Sequence, residues 1–414
     1  MPHDNAGARS MYIIIGQGIA GATAANSLRK LAPKTPVTVI TNEQDYLYSR
    51  IDLPDIIAGK YDLATSTLQK AEDFASAGIT CIMGETVAAV LPAQKTVELA
   101  SGKSLQYDKL LLATGSLPLV PALPGVASSG VFSLWTMHQA KEIIDATARV
   151  QSAVVVGAGL IGLKIALALK VRGLNVTVIE KLPRILPRQL DDVASDMLAD
   201  CVRDKGVEIL VNTSVDGIVA SNGAVSSVNA AGCVIPAEMV IMAIGVMPNM
   251  ELAAVAGIKT GRGITVNECQ QTSQPDIYAA GDVAETVDSL TGYLTVPAIW
   301  PVAAEQGRIA ASNMAGHKKL YDYMAVMNAV EIGGMPLVSI GDIDAQPEDD
   351  ILTEQRSDAY RKVVIRNKKV RGVICLGDIR QAGVIGRLIS RRVDTAEFER
   401  LMSPQFSFAD LIVV

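Results

Sequence analysis

Two glycine fingerprints of one kind, Gly16-Gln17-Gly18-Ile19-Ala20-Gly21 and Gly157-Ala158-Gly159-Leu160-Ile161-Gly162, stand with their first glycines 141 residues apart. Each follows an apolar run fit for a buried parallel strand, at 12–15 and 153–156, and each opens a helix-like segment, at 19–31 and 160–172. In that setting the first glycine allows a tight turn, the second lets backbone approach a pyrophosphate, and the third lets helix pack on strand. The phosphates then meet the N–H groups at the positive end of a helix. A second strand follows each helix, at 37–40 and 175–179, and an acid closes it: Glu43, slightly displaced, and Glu180. A carboxylate there accepts from a ribose 2′-OH and repels a 2′-phosphate. At the second loop this favours NAD over NADP, with Lys181 and Arg184 weighing the other way. The pair of loops predicts two bound dinucleotides.

A length of 414 residues suggests two to three domains, and 49% hydrophobic with 19% charged residues describes a globular chain. No apolar run approaches the roughly 18 to 20 residues needed to span a bilayer, and residues 1–10 lack the apolar core of a secretion signal, so a cytoplasmic protein is expected. The formal charge of −6 offers nothing to nucleic acid. The five cysteines, Cys81, Cys201, Cys233, Cys269 and Cys375, show no Cys-x-x-Cys pair. Iron–sulfur ligation and a local redox disulfide are disfavoured, and mostly buried, reduced thiols are expected. The three histidines, His3, His138 and His317, are none of them near a cysteine in sequence. No metal site is expected.

Past the first nucleotide unit, a polar loop with Tyr46, Tyr48, Ser49 and Arg50 runs into an apolar segment at 53–58. Arg50 suits a place beside a flavin or phosphate, and equally a surface salt bridge. Strand-like runs at 79–83 and 96–99 follow, the second closing near Ser101-Gly102 as a hairpin would. The buried run ending in Ala113-Thr114-Gly115 precedes prolines 118, 121 and 124, a crossover between domains. The second unit closes on the same device, an apolar run, then Gly245, then Pro248. This is an internal duplication of architecture. A further buried strand ends in Gly281-Asp282, where an acid reaches a ligand in the crevice of an open α/β sheet, or caps a following helix. Trp300-Pro301 precedes an Ala-rich helix expected at 302–314, whose N–H groups would point toward Trp300. From about residue 323 the pattern changes to short strands at 338–340, 360–365 and 370–376. Between the first two, 342–354 holds six acids and no base, read as a solvated loop.

These pieces resemble the two-dinucleotide flavoproteins of the pyridine nucleotide–disulfide oxidoreductase superfamily over roughly residues 11–322. The ordered signals are the Gly16 loop, Ala113-Thr114-Gly115, the Gly157 loop with Glu180, Ala243-Ile244-Gly245, and Thr272 to Asp282. The resemblance implies an α/β fold with two Rossmann-like domains, the FAD domain discontinuous and the NAD domain inserted, plus a small α+β C-terminal domain. The boundaries expected are a tail at 1–10, FAD domain at 11–118 and 248–322, NAD domain at 119–247, and C-terminal domain at 323–414. It implies FAD contacts from Gly16, Gln17, Gly18, Ala20, Gly21, Asn42, Glu43, Arg50, Val87, Ala113, Thr114, Gly115, Gly281, Asp282 and Trp300. NAD(H) contacts fall to Gly157, Gly159, Leu160, Ile161, Gly162, Glu180 and Gly245.

The stretches 360–364 and 372–378, with Tyr48-Ser49-Arg50-Ile51-Asp52-Leu53, are similar to NADH:rubredoxin oxidoreductases and to the flavin portion of NADH-dependent nitrite reductases. The thiols that the disulfide reductases keep in the FAD domain are missing here, as are their C-terminal His and Glu. A second departure is Lys164, where many relatives have glutamate near the nicotinamide. It would stabilise anionic reduced flavin, the role favoured here, or pair with a carboxylate of the FAD domain; Lys164 and Arg50 are the expected catalytic residues.

Without a redox thiol, electrons entering as hydride leave from the flavin. Three functions fit: an NADH reductase of an iron–sulfur protein, free or as the FAD subunit of a larger complex such as a tungsten aldehyde oxidoreductase; a stand-alone NADH oxidase; or a flavoprotein that holds FAD and NAD as a sensing or structural element. The first is preferred. From Arg356 to Arg392 the chain carries eleven Lys/Arg against two Asp, a basic stretch that would steer an acidic partner or simply form a solvated face.

Overall fold

The structure, a computed structural model, describes residues 11–288, 292–322, 325–393 and 402. The tail expected at 1–10 lies outside these residues. Two compact units form: Met1–Ser49, Leu63–Leu117 and Val246–Met324 in the first, Arg50–Asp62, Pro118–Gly245 and Ala325–Val414 in the second.

In the first unit a five-stranded parallel sheet has the order Ile277–Ala279, Lys109–Leu112, Tyr12–Ile15, Val37–Thr41, Ile79–Met83. The three central strands are short and almost wholly buried because both faces of the sheet are covered, while the edge strand Ile79–Met83 is partly open. Side chains alternate between two cores: Ile14, Val39 and Leu111 enter one with Leu28 and Ala310, while Ile13, Ile40, Leu110 and Leu112 enter the other with Val97 and Ile264. Each fully buried Leu or Ile contributes about 1.5–3 kcal/mol of apolar burial. The first core is roofed by the helices Ile19–Leu31 and Trp300–Met314, which cross where small residues let backbones approach. The second helix begins at Trp300, two residues earlier than expected, with Pro301 in its first turn, where a missing N–H costs nothing. The other face carries the antiparallel strands Val87–Leu91, Thr96–Leu99 and Ser104–Gln106.

The second unit repeats the plan. Its parallel sheet has the order Val207–Leu210, Asn175–Ile179, Ser152–Val156, Met239–Met242, Val131–Ser133. Where the first unit takes its last strand from late in the chain, the second takes Val131–Ser133, which precedes its glycine loop. A three-stranded antiparallel sheet, Val215–Ser221, Ala224–Ala230 and Cys233–Pro236, covers one face through a core of Val154, Val156, Ile218 and Val228.

The same unit includes the C-terminal region, a five-stranded antiparallel sheet in the order Met327–Ile332, Met335–Gly341, Lys369–Leu376, Tyr360–Arg366, Asp350–Gln355. The helix Ala382–Arg391 packs on it through Ile385, Leu388 and Ile389. The acidic stretch 342–354 is therefore not simply a solvated loop. Its end forms the edge strand Asp350–Gln355, and Asp349 accepts from Arg366 Nε and Nη2 at 2.6 and 2.7 Å. That guanidinium holds the Asp349 carboxyl at about 2.

All five cysteines are free thiols, but only Cys375 is buried; Cys81, Cys201 and Cys269 are half-buried, and Cys233 is exposed at the start of an edge strand. The expectation of mostly buried thiols is corrected accordingly. No helix among the described residues is long and apolar enough to cross a membrane.

Candidate functional site

The two glycine loops are built alike to a fraction of an ångström. Gly16 and Gly157 share φ +106°, and a Cβ there would stand 2.1 Å from the Ala113 carbonyl oxygen or 2.5 Å from that of Ala243. Gly21 and Gly162 lie against those turns, each with 2.0 Å between an imagined Cβ and the carbonyl oxygen of Gly16 or Gly157. These four glycines are needed by the protein itself. The middle ones, Gly18 and Gly159, have open space where a Cβ would go, and each is the N-cap of its helix with no side-chain cap. The sequence provides bare backbone donors at a positive helix end, in a cradle that any side chain would fill.

Around the first loop, Ala113 is buried and its N–H donates to the Ile15 carbonyl at 2.8 Å. The Thr114 hydroxyl donates to the Asn249 carbonyl at 2.7 Å, and the Asn249 N–H to that of Gly115 at 2.9 Å. Gly115 keeps φ +66° with open space at its Cβ position. Glu43 Oε2 accepts from the Tyr48 hydroxyl at 2.6 Å, and Asn42 is exposed beside it. Val87 opens its strand opposite Leu99. Gly281 follows the strand Ile277–Ala279, and Ser116 Oγ donates to the Asp282 carbonyl at 3.4 Å. A strand, Ala284–Val287, comes next, so the helix that Asp282 was alternatively expected to cap does not exist. Trp300 opens its helix, half-buried. Gln17 is buried with both amide atoms unpartnered, and Ala20 is buried in the first helical turn.

At the second loop Glu180 Oε2 accepts from the Ala158 N–H at 2.8 Å, and Oε1 from the Leu182 N–H at 2.9 Å. The acid thus braces the glycine turn. Arg184 is drawn away to Asp192 Oδ1 at 3.0 Å and to the carbonyls of Leu190 and Pro187. Leu160 is half-buried, Ile161 exposed and Gly245 open at φ +120°. The open cradles, the orphaned Gln17 amide and the acid at each second strand are what a dinucleotide requires, so the residues fit two such cofactors.

Arg50 and Lys164 both belong to the second unit, because 50–62 packs there rather than with the first, where it was expected. Arg50 opens a short 3₁₀ turn, donates to the Trp135 carbonyl, and holds its Cζ 5.6 Å from the Trp135 ring centre. Lys164 Nζ is bonded to Asp55 Oδ2 on the helix Leu53–Ile57. Lys164 thus pairs with a carboxylate, that of Asp55, at 2.7 Å. Trp135 and Asp55 were missed by sequence reasoning; a lone acid inside the apolar 53–58 segment was the available signal for Asp55.

Residues 10–307 match the family described as pyridine nucleotide-disulphide oxidoreductase, and 327–393 match the rubredoxin NAD+ reductase C-terminal domain. The chain belongs to the pyridine nucleotide-disulphide oxidoreductase family. This oxidoreductase family binds FAD and NAD(H), and the α/β fold with a small C-terminal sheet domain is the family's own. Among relatives, the assimilatory nitrate reductase electron transfer subunit of Bacillus subtilis (strain 168) is 32% identical over 96% of this chain. The chain spans 52% of that protein's length. The NADH-dependent phenylglyoxylate dehydrogenase subunit epsilon of Aromatoleum evansii is 29% identical over 94% of each chain. In a crystal structure of the covalent putidaredoxin reductase–putidaredoxin complex, one chain superposes with a TM-score of 0.90 and 26% identity, covering 98% of this chain and 99% of that one.

Proposed function

We propose that this oxidoreductase passes electrons between NAD(H) and an iron–sulfur protein, or an iron–sulfur subunit of a larger complex. The reading rests above all on the C-terminal sheet domain, which matches that of rubredoxin NAD+ reductase and bears the basic stretch. The full-length likeness to a dehydrogenase subunit and the likeness to an electron transfer subunit support a place in a multi-subunit assembly.

The first loop would hold FAD and the second NAD(H). FAD, when bound, accepts two electrons as hydride from NADH and releases them singly. The protein's share is positioning and electrostatics. Gly18 and Gly159 keep backbone open to the pyrophosphates, Glu180 braces the second loop for a ribose hydroxyl, and the Asp55–Lys164 pair ties the Arg50 segment to the second loop's helix. Cys81 and Cys375 are ill suited to a thiol relay: burial pushes both up to about 11, where little reactive thiolate exists at neutral pH.

The basic stretch is narrower as a docking surface than its eleven cations suggest. Arg361 is buried, and Arg356, Lys362, Arg366 and Arg380 are paired with Glu354, Asp191, Asp349 and Asp378. The exposed charge falls to Lys368, on a left-handed hairpin tip, and to Arg387 and Arg391 on the last helix. Such a corner would steer an acidic iron–sulfur partner. The test uses K368E/R387E with NADH. Slower reduction of a rubredoxin or ferredoxin with unchanged ferricyanide reduction supports the reading; equal loss with both acceptors sinks the docking corner. Rapid NADH consumption in air without a partner would favour an oxidase instead.

A further inference from the structure

Trp135 follows the edge strand Val131–Ser133 of the second unit's parallel sheet, and both of its backbone polar groups are held by side chains. Its N–H donates to Gln139 Oε1 at 2.8 Å, and its carbonyl accepts from Arg50 Nη1. Gln139 belongs to the capping box that starts the next helix, Met137–Thr147. The Arg50 guanidinium also lies against the indole, Cζ 5.6 Å from the ring centre, a cation–π geometry that fixes the ring as well as its backbone. Trp135 is half-buried, so part of it stays open to solvent.

The strand registers bring this residue to the crevice of the second sheet. Ser133 pairs with Met242, Met242 with Val156 and Val156 with Ile179, so these four stand level at the carboxyl edge. Open α/β sheets bind their ligands outside that edge. Past the line come Trp135, Gly245, the Gly157 loop and Glu180, each from its own strand in that order across the sheet. Glu180 marks the adenosine ribose, the sugar whose 2′ position distinguishes the two nicotinamide nucleotides, and the glycine loop takes the pyrophosphate. The nicotinamide half therefore runs to the opposite side, over Met239–Met242 and toward Val131–Ser133. That last strand is two spacings from the loop strand, roughly 10 Å. Gly245, which follows the strand between them, has nothing within 4 Å of an imagined Cβ and leaves the path open.

We propose that Trp135 lines the nicotinamide end of the second cradle, with its indole against the nicotinamide ring, and that Arg50 is a positioning residue that holds the indole there. This rests on the second loop being the NAD(H) seat. Contact between two flat rings strengthens binding by about fivefold to tenfold. Arg50 then serves the nucleotide through Trp135.

ADP-ribose, which is NAD+ without the nicotinamide ring, separates the two halves of the ligand. Trp135 and Trp300 are the two tryptophans of the chain, so tryptophan emission is compared in wild type and W135F, each titrated as the FAD-loaded protein with NAD+ and with ADP-ribose. In wild type NAD+ should quench more deeply at saturation than ADP-ribose, and W135F should lose that difference. W135A should weaken NAD+ by about fivefold to tenfold and hold ADP-ribose as wild type does, while W135F, which keeps a flat ring, recovers most of the loss. R50M should show a smaller loss of the same kind, for NAD+ alone. Equal quenching by the two ligands in wild type overturns the proposal, as does a difference that survives in W135F and so belongs to Trp300. A W135A that weakens both ligands alike marks a structural side chain and overturns it too; an R50M identical to wild type removes the role given to Arg50. If W135A does not fold, the emission of wild type and W135F decides. A wild-type protein that binds neither ligand overturns the NAD(H) seat itself, and the proposal with it.

Discussion

Lys164 Nζ lies 2.7 Å from Asp55 Oδ2, and Lys60 Nζ reaches the other oxygen of that carboxylate at 3.1 Å. The Lys164 and Asp55 side chains are only 15% and 16% exposed, so the pair is shielded from water and salt. Its geometry joins the short helix Leu53–Ile57 to the glycine-loop helix Leu160–Val171.

Breaking that pair from one side leaves a half-buried charge, so D55N and K164M should each destabilise by about 2 kcal/mol. Burial raises the Asp55 pKa, but the hydrogen bonds and charges of Lys164 and Lys60 outweigh it and hold it below 3.8. The depressed value makes its contribution complete above the ordinary carboxylate range and lost as pH falls through the folded value. Urea unfolding should show wild type and D55N converging in acid, and the swap D55K/K164D should recover part of the loss. Full additivity in the double-mutant cycle would show that the two charges do not interact.

The glycines predict a separation of folding from binding. G159A meets open space and should unfold like wild type, yet raise the NADH KM by about tenfold, because the methyl occupies the approach to the pyrophosphate. G162A drives a methyl into the Gly157 carbonyl and should cost about 3 kcal/mol or prevent folding. Thermal melts beside steady-state kinetics compare the two; equal melting losses would remove the distinction.

Glu180 should govern the choice of nucleotide. With Arg184 engaged by Asp192, E180A removes the group that repels a 2′-phosphate and should narrow the NADH-over-NADPH preference in kcat/KM by about tenfold. The Ala158 and Leu182 N–H groups lose their acceptor in the same variant, so NADH itself should also bind less tightly. An unchanged preference would assign selectivity elsewhere.

Asp276 offers a test far from either loop. Hydrogen bonds from Lys109 and Lys95 hold its carboxyl below 3.8, and Asp276 in turn helps hold Lys109 above 10.5 against burial. The Asp276 contribution is therefore present above the carboxylate range and lost in acid; the Lys109 contribution is full below 10.5 and lost as pH rises through its folded value. Because Asp276 is about a quarter exposed and Lys95 half, D276N should cost only about 1 kcal/mol at pH 7, and the cost should disappear as pH falls through the folded value of Asp276. The left-handed φ of +67° should make D276A worse than D276N, since asparagine tolerates that region.

The strands Tyr12–Ile15, Ile79–Met83 and Asn175–Ile179 were legible with both bounds, because each is a short apolar run between turn residues. The glycine loops were equally legible, since their chemistry is local: a turn, an open backbone and a helix start within six residues. The strand Asp350–Gln355 escaped because it is an exposed edge whose acids look like a loop, and only pairing with Tyr360–Arg366 makes it a strand.

The sequence by itself determined the duplicated α/β architecture, the two nucleotide cradles and the want of a thiol pair, all carried by neighbouring residues. Tertiary structure alone decided the partners of Lys164 and Arg50, and which basic residues stay exposed. Asp55 and Lys164 are 109 positions apart, and a charge's effect depends on what folding brings within a few ångströms and how much water it removes.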